Sequence, residues 1–267
     1  MGSPTQQCIV YPLLPPTLPE NSVYTSCYCE ENIYLLGQAL LADPASFGLS
    51  ARWEAYAVFI SNEHKSVALW RQKAGQDLII WDYHVVLIVR PAPHEQDTSA
   101  GISSQQSEVY QLRSWVYDFD TLLPVPCLAQ DYMSKTVPYA FLEDPRLGIN
   151  KRFVRIVPIQ LYLDHFASDR SHMIKPPLVP SGENEGSGET DHVAATLYYA
   201  PPPSYAPLCG ARAREKGISH NLMNSFVSMK ASRTDDPISV DPDMIDPTIY
   251  GEVMDCKTFL TWLDVAH

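Results

Sequence analysis

The sequence is poor in positive charge: 19 lysines and arginines stand against 31 aspartates and glutamates, a formal net charge of −12 over 267 residues. Phosphate contacts need a basic face, so generic binding to nucleic acid or to an anionic membrane is not expected. Long apolar runs are also missing, and none approaches the roughly 20 residues that a membrane-spanning helix needs. The six cysteines, at 8, 27, 29, 127, 209 and 256, make no C-x-x-C pair and no regular framework. That spacing argues against a structural zinc site and a disulfide scaffold, and favours reduced thiols. The first residues, MGSPTQQCIVYPLLPPTLPENS, have neither a basic start nor a continuous apolar core, and Gln6 breaks the myristoylation pattern. No internal repeat is visible. The expectation is a soluble monomer of the cytosol or the nucleus.

A hydrophobic fraction of 45% and five tryptophans fit a globular protein, and the length suits one domain over residues 1–267 with a sizeable core. The proline-rich start reads as an extended arm. After Cys29, apolar residues at Ile33, Leu36, Leu40 and Leu41 recur at helical spacing, and Asp43-Pro44 supplies a stop. Strand-like runs follow at 55–60, 66–70, 78–89 and 115–119, and RFVRIVPIQLYL (152–163) reads as a strand leading into a short helix. DCKTFLTWLDVA (255–266) has helical spacing, with Asp255 as its cap. One helix followed by adjoining strands predicts an α+β fold, a single domain with a mostly antiparallel sheet flanked by helices. Residues 91–107 and the stretch near 174–220 have compositions that build no core alone, and flexible surface loops are expected there.

The chemistry centres on YTSCYCEENIYLL. Cys29 falls in the first turn of the expected helix, capped by Thr25 or Ser26, where unpaired N–H groups and the helix dipole favour a thiolate and form an oxyanion hole. The bland alternative is a buried structural cysteine. A nucleophilic thiol needs a base. His84 alone among the histidines lies within a strongly apolar strand pattern, so it is either a hydrogen-bonded core residue or catalytic; His165 and His172 are rivals. Asp118 and Asp120 share a strand face and either suits the orienting carboxylate, although Asp120 before Thr121 reads more simply as a turn residue. In FASDRSHM (166–173), Asp169 and Arg170 suggest an ion pair and Ser168 a cap.

The segments SCYCEENIYLL, AVFISNEHK, IIWDYHVV, VYDFDTLLPVPC and FASDRSHM occur in the order found in protein N-terminal glutamine amidohydrolases, and over roughly residues 23–173 the chain resembles that family. The resemblance implies a fold like the papain-like and transglutaminase catalytic core. It also implies a Cys29, His84, Asp118 triad, with Cys27, about 200° away around a helix, pointing elsewhere. By the same resemblance the substrate is a protein or peptide beginning with glutamine, the side-chain amide is hydrolysed to glutamate through a thioester, and no metal or organic cofactor takes part. A cysteine protease or a transglutaminase-like acyltransferase acting on internal residues is the alternative. Recognition of a free α-ammonium requires a carboxylate or several carbonyl acceptors. Glu30, Glu31, Asp82, Asp120 and Asp169 are the candidates, with Glu30 favoured for its place beside the thiol and Trp81, Tyr83 and Phe119 as an apolar wall.

Overall fold

The structure is a computed structural model that describes residues 13–48, 51–75, 77–92, 113–141, 152–176, 196–230 and 249–263. It is an α+β domain built on a six-stranded sheet with β1 (Trp53–Ile60), β4 (His84–Pro91), β5 (Trp115–Tyr117), β6 (Cys127–Leu128), β7 (Arg152–Pro158) and β8 (Glu252–Asp255) in the order β6-β5-β4-β1-β7-β8. Each neighbouring pair is antiparallel. Strands β2 (Val67–Trp70) and β3 (Leu78–Trp81) form a separate antiparallel hairpin.

Both faces of the sheet are covered, which explains why β1 and β4 read as near-continuous apolar runs rather than alternating ones. One face sends Ala57, Phe59, Val85, Leu87 and Val89 against α1 (Cys29–Leu41) and α4 (Ile159–His165) through Ile33, Leu36, Leu40 and Tyr162. Phe226, on a π-helical turn at Leu222–Val227, stacks 5.6 Å from Phe59 on that side. The other face packs Val58, Ile60, Val86, Ile88 and Ile156 against α3 (Ala129–Thr136) and α6 (Cys256–Trp262) through Tyr132, Met133, Phe259 and Leu260. Gly37 lets α1 settle closely on α4, since a Cβ there would stand 2.5 Å from Ile159 Cδ1.

Several expectations hold, among them α1, the β7 to α4 transition, and Asp255, whose carboxylate accepts from the Thr258 N–H at 2.7 Å. The run 78–89 is not one strand. It breaks at Asp82, whose carboxylate accepts from the Tyr83 N–H while its carbonyl accepts from Ser61. Trp81 therefore ends the small hairpin and His84 begins a central strand. Neither Thr25 nor Ser26 caps α1. Asn32 pins the approach instead, accepting from the Thr25 N–H and donating to the Thr25 carbonyl, both at 2.8 Å. The loop expected at 91–107 lies outside the described residues beyond 92, and that near 174–220 lies partly outside them. Its later portion is not free: α5 (Ala211–Glu215) buries Ala213, and Tyr198 bridges to Ile174. Among the described residues, no helix is long and apolar enough to cross a membrane.

Candidate active site

Three elements converge at one end of the sheet. Helix α1 brings Cys29 and Glu30, the start of β4 brings His84, and the turn leaving β5 brings Asp118 and Asp120. Cys29 is partly accessible, and its sulfur faces the backbone N–H of Val85, next to His84. His84 Nε2 lies 3.0 Å from Asp118 Oδ1 in a buried pair. Asp118 is itself held: Tyr132 donates to its Oδ2 at 2.8 Å, Gln72 reaches the same oxygen at 3.4 Å, and the Asp120 N–H donates to Oδ1.

The charges follow from this geometry. Burial opposes ionisation of Asp118, but the His84 charge and the converging donors outweigh it and hold the carboxyl below its ordinary range. Burial likewise pulls His84 down, yet the charges of Asp118, Asp120 and Glu30 raise it above an ordinary imidazole. Burial raises Asp120, which accepts from the Tyr24 hydroxyl at 2.6 Å. The thiol departs from expectation. Burial and the negative charges of Glu30, Asp120 and Asp118 push Cys29 well above the ordinary range, against the hydrogen bond from Val85. A helix N-terminus is worth about half a positive charge. A full carboxylate with Oε2 at 3.7 Å from Sγ outweighs it.

Each remaining candidate has a place. Trp81 stacks over His84, rings 6.3 Å apart and 18° from parallel, with its indole N–H buried and without a hydrogen-bond partner among the described residues. Asp118 and Asp120 do converge, but β5 ends at Tyr117, so a turn brings them together rather than strand alternation. Glu30 and Glu31 are fully buried, which first-turn carboxylates stabilising a dipole need not be. Glu31 is neutralised by Arg170, whose Nε and Nη2 donate to its two oxygens at 2.9 and 2.8 Å. Arg170 thus pairs with Glu31 and not with Asp169, which accepts from the Ser171 N–H and faces His220. Ser168 Oγ accepts from the Arg170 N–H. Asp82 is exposed and spent on its turn, Phe119 packs on Tyr24, and Tyr83 donates to Glu30 Oε2 at 3.1 Å. His165 stacks on Tyr250, away from this cluster.

Cys27 precedes α1 at φ 68°, exposed, so its separation from Cys29 does not come from rotation around a helix. Tyr24, Gln72, Tyr132 and His172 complete the surroundings. Sequence reasoning passed over the first three because contacts across long separations leave no local pattern. His172 had a signal, its place in FASDRSHM. Among the described residues, His84, Asp118 and Asp120 lie close enough to share a cation. Both oxygens of Asp118 and Oδ1 of Asp120 already face His84, Tyr132, Gln72, Tyr24 and the Asp120 amide.

An α+β domain that carries a thiol at a helix start and a buried imidazole bound to a carboxylate has the residue types that nucleophilic acyl chemistry uses. The sequence profile described as N-terminal glutamine amidase matches residues 24–263, and the chain belongs to that family. Similar proteins include protein N-terminal glutamine amidohydrolases from Homo sapiens, 35% identical over 210 residues (78% of this chain and 78% of that protein), and from Drosophila grimshawi, 33% over 214 residues (79% and 80%).

Proposed function

We propose that this protein hydrolyses the side-chain amide of glutamine at the N-terminus of proteins and peptides, giving glutamate and ammonia. The carrying observation is the buried His84–Asp118 pair beside Cys29 in a chain of this family. Asp118 occupies Nε2, which leaves Nδ1 of His84 to exchange protons with the thiol. As the Cys29 sulfur bonds to the amide carbon, its proton passes to His84 and the carbonyl electrons move to oxygen. The free N–H groups of the first turn of α1 suit that oxyanion. Collapse of the intermediate expels the amide nitrogen, protonated by His84, and leaves a γ-glutamyl thioester. Water, deprotonated by His84, then releases glutamate. Trp81 screens the imidazole, and Asp120 with Glu30 makes the pocket attractive to a cation.

In this reading residues 1–267 make one amidohydrolase domain. Cysteine on a helix start, histidine on the facing strand and aspartate after the next strand is the order of the papain-like and transglutaminase cores. A protease or acyltransferase reading shares that order. It finds less support here, because pocket carboxylates suit a terminal ammonium better than an internal peptide segment. Ammonia release is measured from matched peptides with glutamine first, glutamine first but N-acetylated, and glutamine internal. Release from the first alone is expected; cleavage or deamidation at internal positions would favour the alternative.

A further inference from the structure

The two buried carboxylates at the start of α1 are not equivalent. Glu31 is matched by the guanidinium of Arg170. Glu30 is fully buried and faces an imidazole, His172, rather than a guanidinium: Tyr83 and the Cys29 thiol donate to Oε2, while among the described residues Oε1 has no hydrogen-bond donor. His172 Nε2 stands 3.3 Å from Oε1 without the alignment of a hydrogen bond, and 3.4 Å from the Tyr83 hydroxyl. A wholly buried carboxylate with a vacant acceptor is costly unless a donor arrives. Oε2 of the same group lies 3.7 Å from the Cys29 sulfur. A glutamine spans about 5 Å from its α-nitrogen to its amide carbon when extended. One residue can thus seat its ammonium on Glu30 while presenting the amide carbon to Cys29.

We propose that Glu30 keeps the Cys29 thiol protonated in the empty site, and that the substrate's α-ammonium, by settling on Glu30, releases that restraint, so that terminus recognition and nucleophile activation are one event. The proposal rests on the deamidation reading for its substrate, but the restraint itself belongs to the empty protein. The groups facing the thiol support it. Glu30 comes from α1, Asp118 and Asp120 from the turn after β5, Tyr83 from just before β4, His84 from its start, and Tyr162 from α4, whose hydroxyl donates to the Glu30 carbonyl. His172, from the 3-10 turn Ser171–Met173, reaches Glu30 from outside. The three carboxylates Glu30, Asp118 and Asp120 outnumber the two imidazoles beside them, His84 and His172, so thiolate formation would add negative charge to a negative pocket. An ammonium on Oε1 cancels the nearest charge. It also weakens the hold of Glu30 on the His84 proton, so a neutral imidazole is ready to take the thiol proton.

The test is alkylation of Cys29 by neutral iodoacetamide, read on its own peptide by mass in a Cys27→Ser background, since only thiolate reacts. Glu30→Gln keeps an acceptor for Tyr83 and removes the charge. Its Cys29 should alkylate about tenfold faster or more at pH 7, one pKa unit being tenfold in thiolate. Its kcat/KM on a glutamine-initiated peptide should fall about a hundredfold, with lost preference over the N-acetylated peptide. A packing role alone would not speed alkylation. In the protein with Glu30 intact, methylammonium chloride should accelerate alkylation relative to potassium chloride at equal ionic strength; this arm stands even where the variant fails to fold. Unchanged or slower alkylation in folded Glu30→Gln, or no response to methylammonium, overturns the proposal. If alkylation responds as expected but no peptide is deamidated, the restraint stands and the substrate reading falls.

Discussion

Cys29 is held in place by position and held back by charge. Its sulfur has the backbone N–H of Val85 as a donor, yet Glu30, Asp120 and Asp118 surround it. In the proposed mechanism the thiol therefore depends on His84 for proton removal, and His84 depends on Asp118. Asp118→Asn should lower kcat on the order of 10³–10⁴-fold, since the amide presents the wrong partner to Nε2. Steady-state kinetics with glutamine-initiated peptide check this, and far-UV circular dichroism confirms the fold. The pH profile of kcat/KM follows from the same charges. Because His84 sits above an ordinary imidazole, the acid limb should fall above about 6.5, and the alkaline limb near about 8, where a substrate α-amino group loses its proton. In Asp118→Asn the acid limb should move to lower pH; an acid limb below 6 in the unsubstituted protein would contradict this.

At the scale of elements, α1 is tied to the segment after α4 by the Glu31–Arg170 pair, with Arg170 also donating to the Pro203 carbonyl and lying over Tyr205. Removing one partner strands a buried charge. Arg170→Met should cost about 3–5 kcal/mol, read as a lower urea midpoint, and adding Glu31→Gln should recover part of it. The FASDRSHM segment thereby gains a physical role as a clamp on the start of α1. That clamp was illegible in the sequence, because Arg170 beside Asp169 suggests a local pair and nothing local points to Glu31. α1 itself was legible, since Ile33, Leu36 and Leu40 form a stripe that needs only the sheet beneath it. The break at Asp82 was not. An apolar run shows no boundary when both halves are apolar, and the bend that lays Trp81 over His84 is a tertiary arrangement.

For the whole molecule, the site contributes to stability as well as to chemistry. His84 is raised in the folded state, so its contribution is complete below about pH 6.5 and is lost as pH rises through the folded value. Asp118 is depressed, so its contribution is present above about pH 3.9 and is lost as pH falls through the lower folded value. The pair should therefore stabilise most between about pH 4 and 6.5. The difference in urea midpoint between the unsubstituted protein and Asp118→Asn should be largest near about pH 5–6 and shrink towards pH 9. The antiparallel α+β architecture was readable from the order of apolar runs, whereas the strand order β6-β5-β4-β1-β7-β8 was not, because pairing across long separations leaves no mark in spacing. That strand order sets His84 at the start of a central strand beside α1, where the proposed reaction begins. Its most direct test is the intact mass of a glutamine-initiated peptide incubated with the protein or with Cys29→Ala. A gain of about one dalton with ammonia release from the first alone is expected, the amide having passed through Cys29 to a carboxylate. An equal gain with Cys29→Ala, or no gain with either, would contradict it.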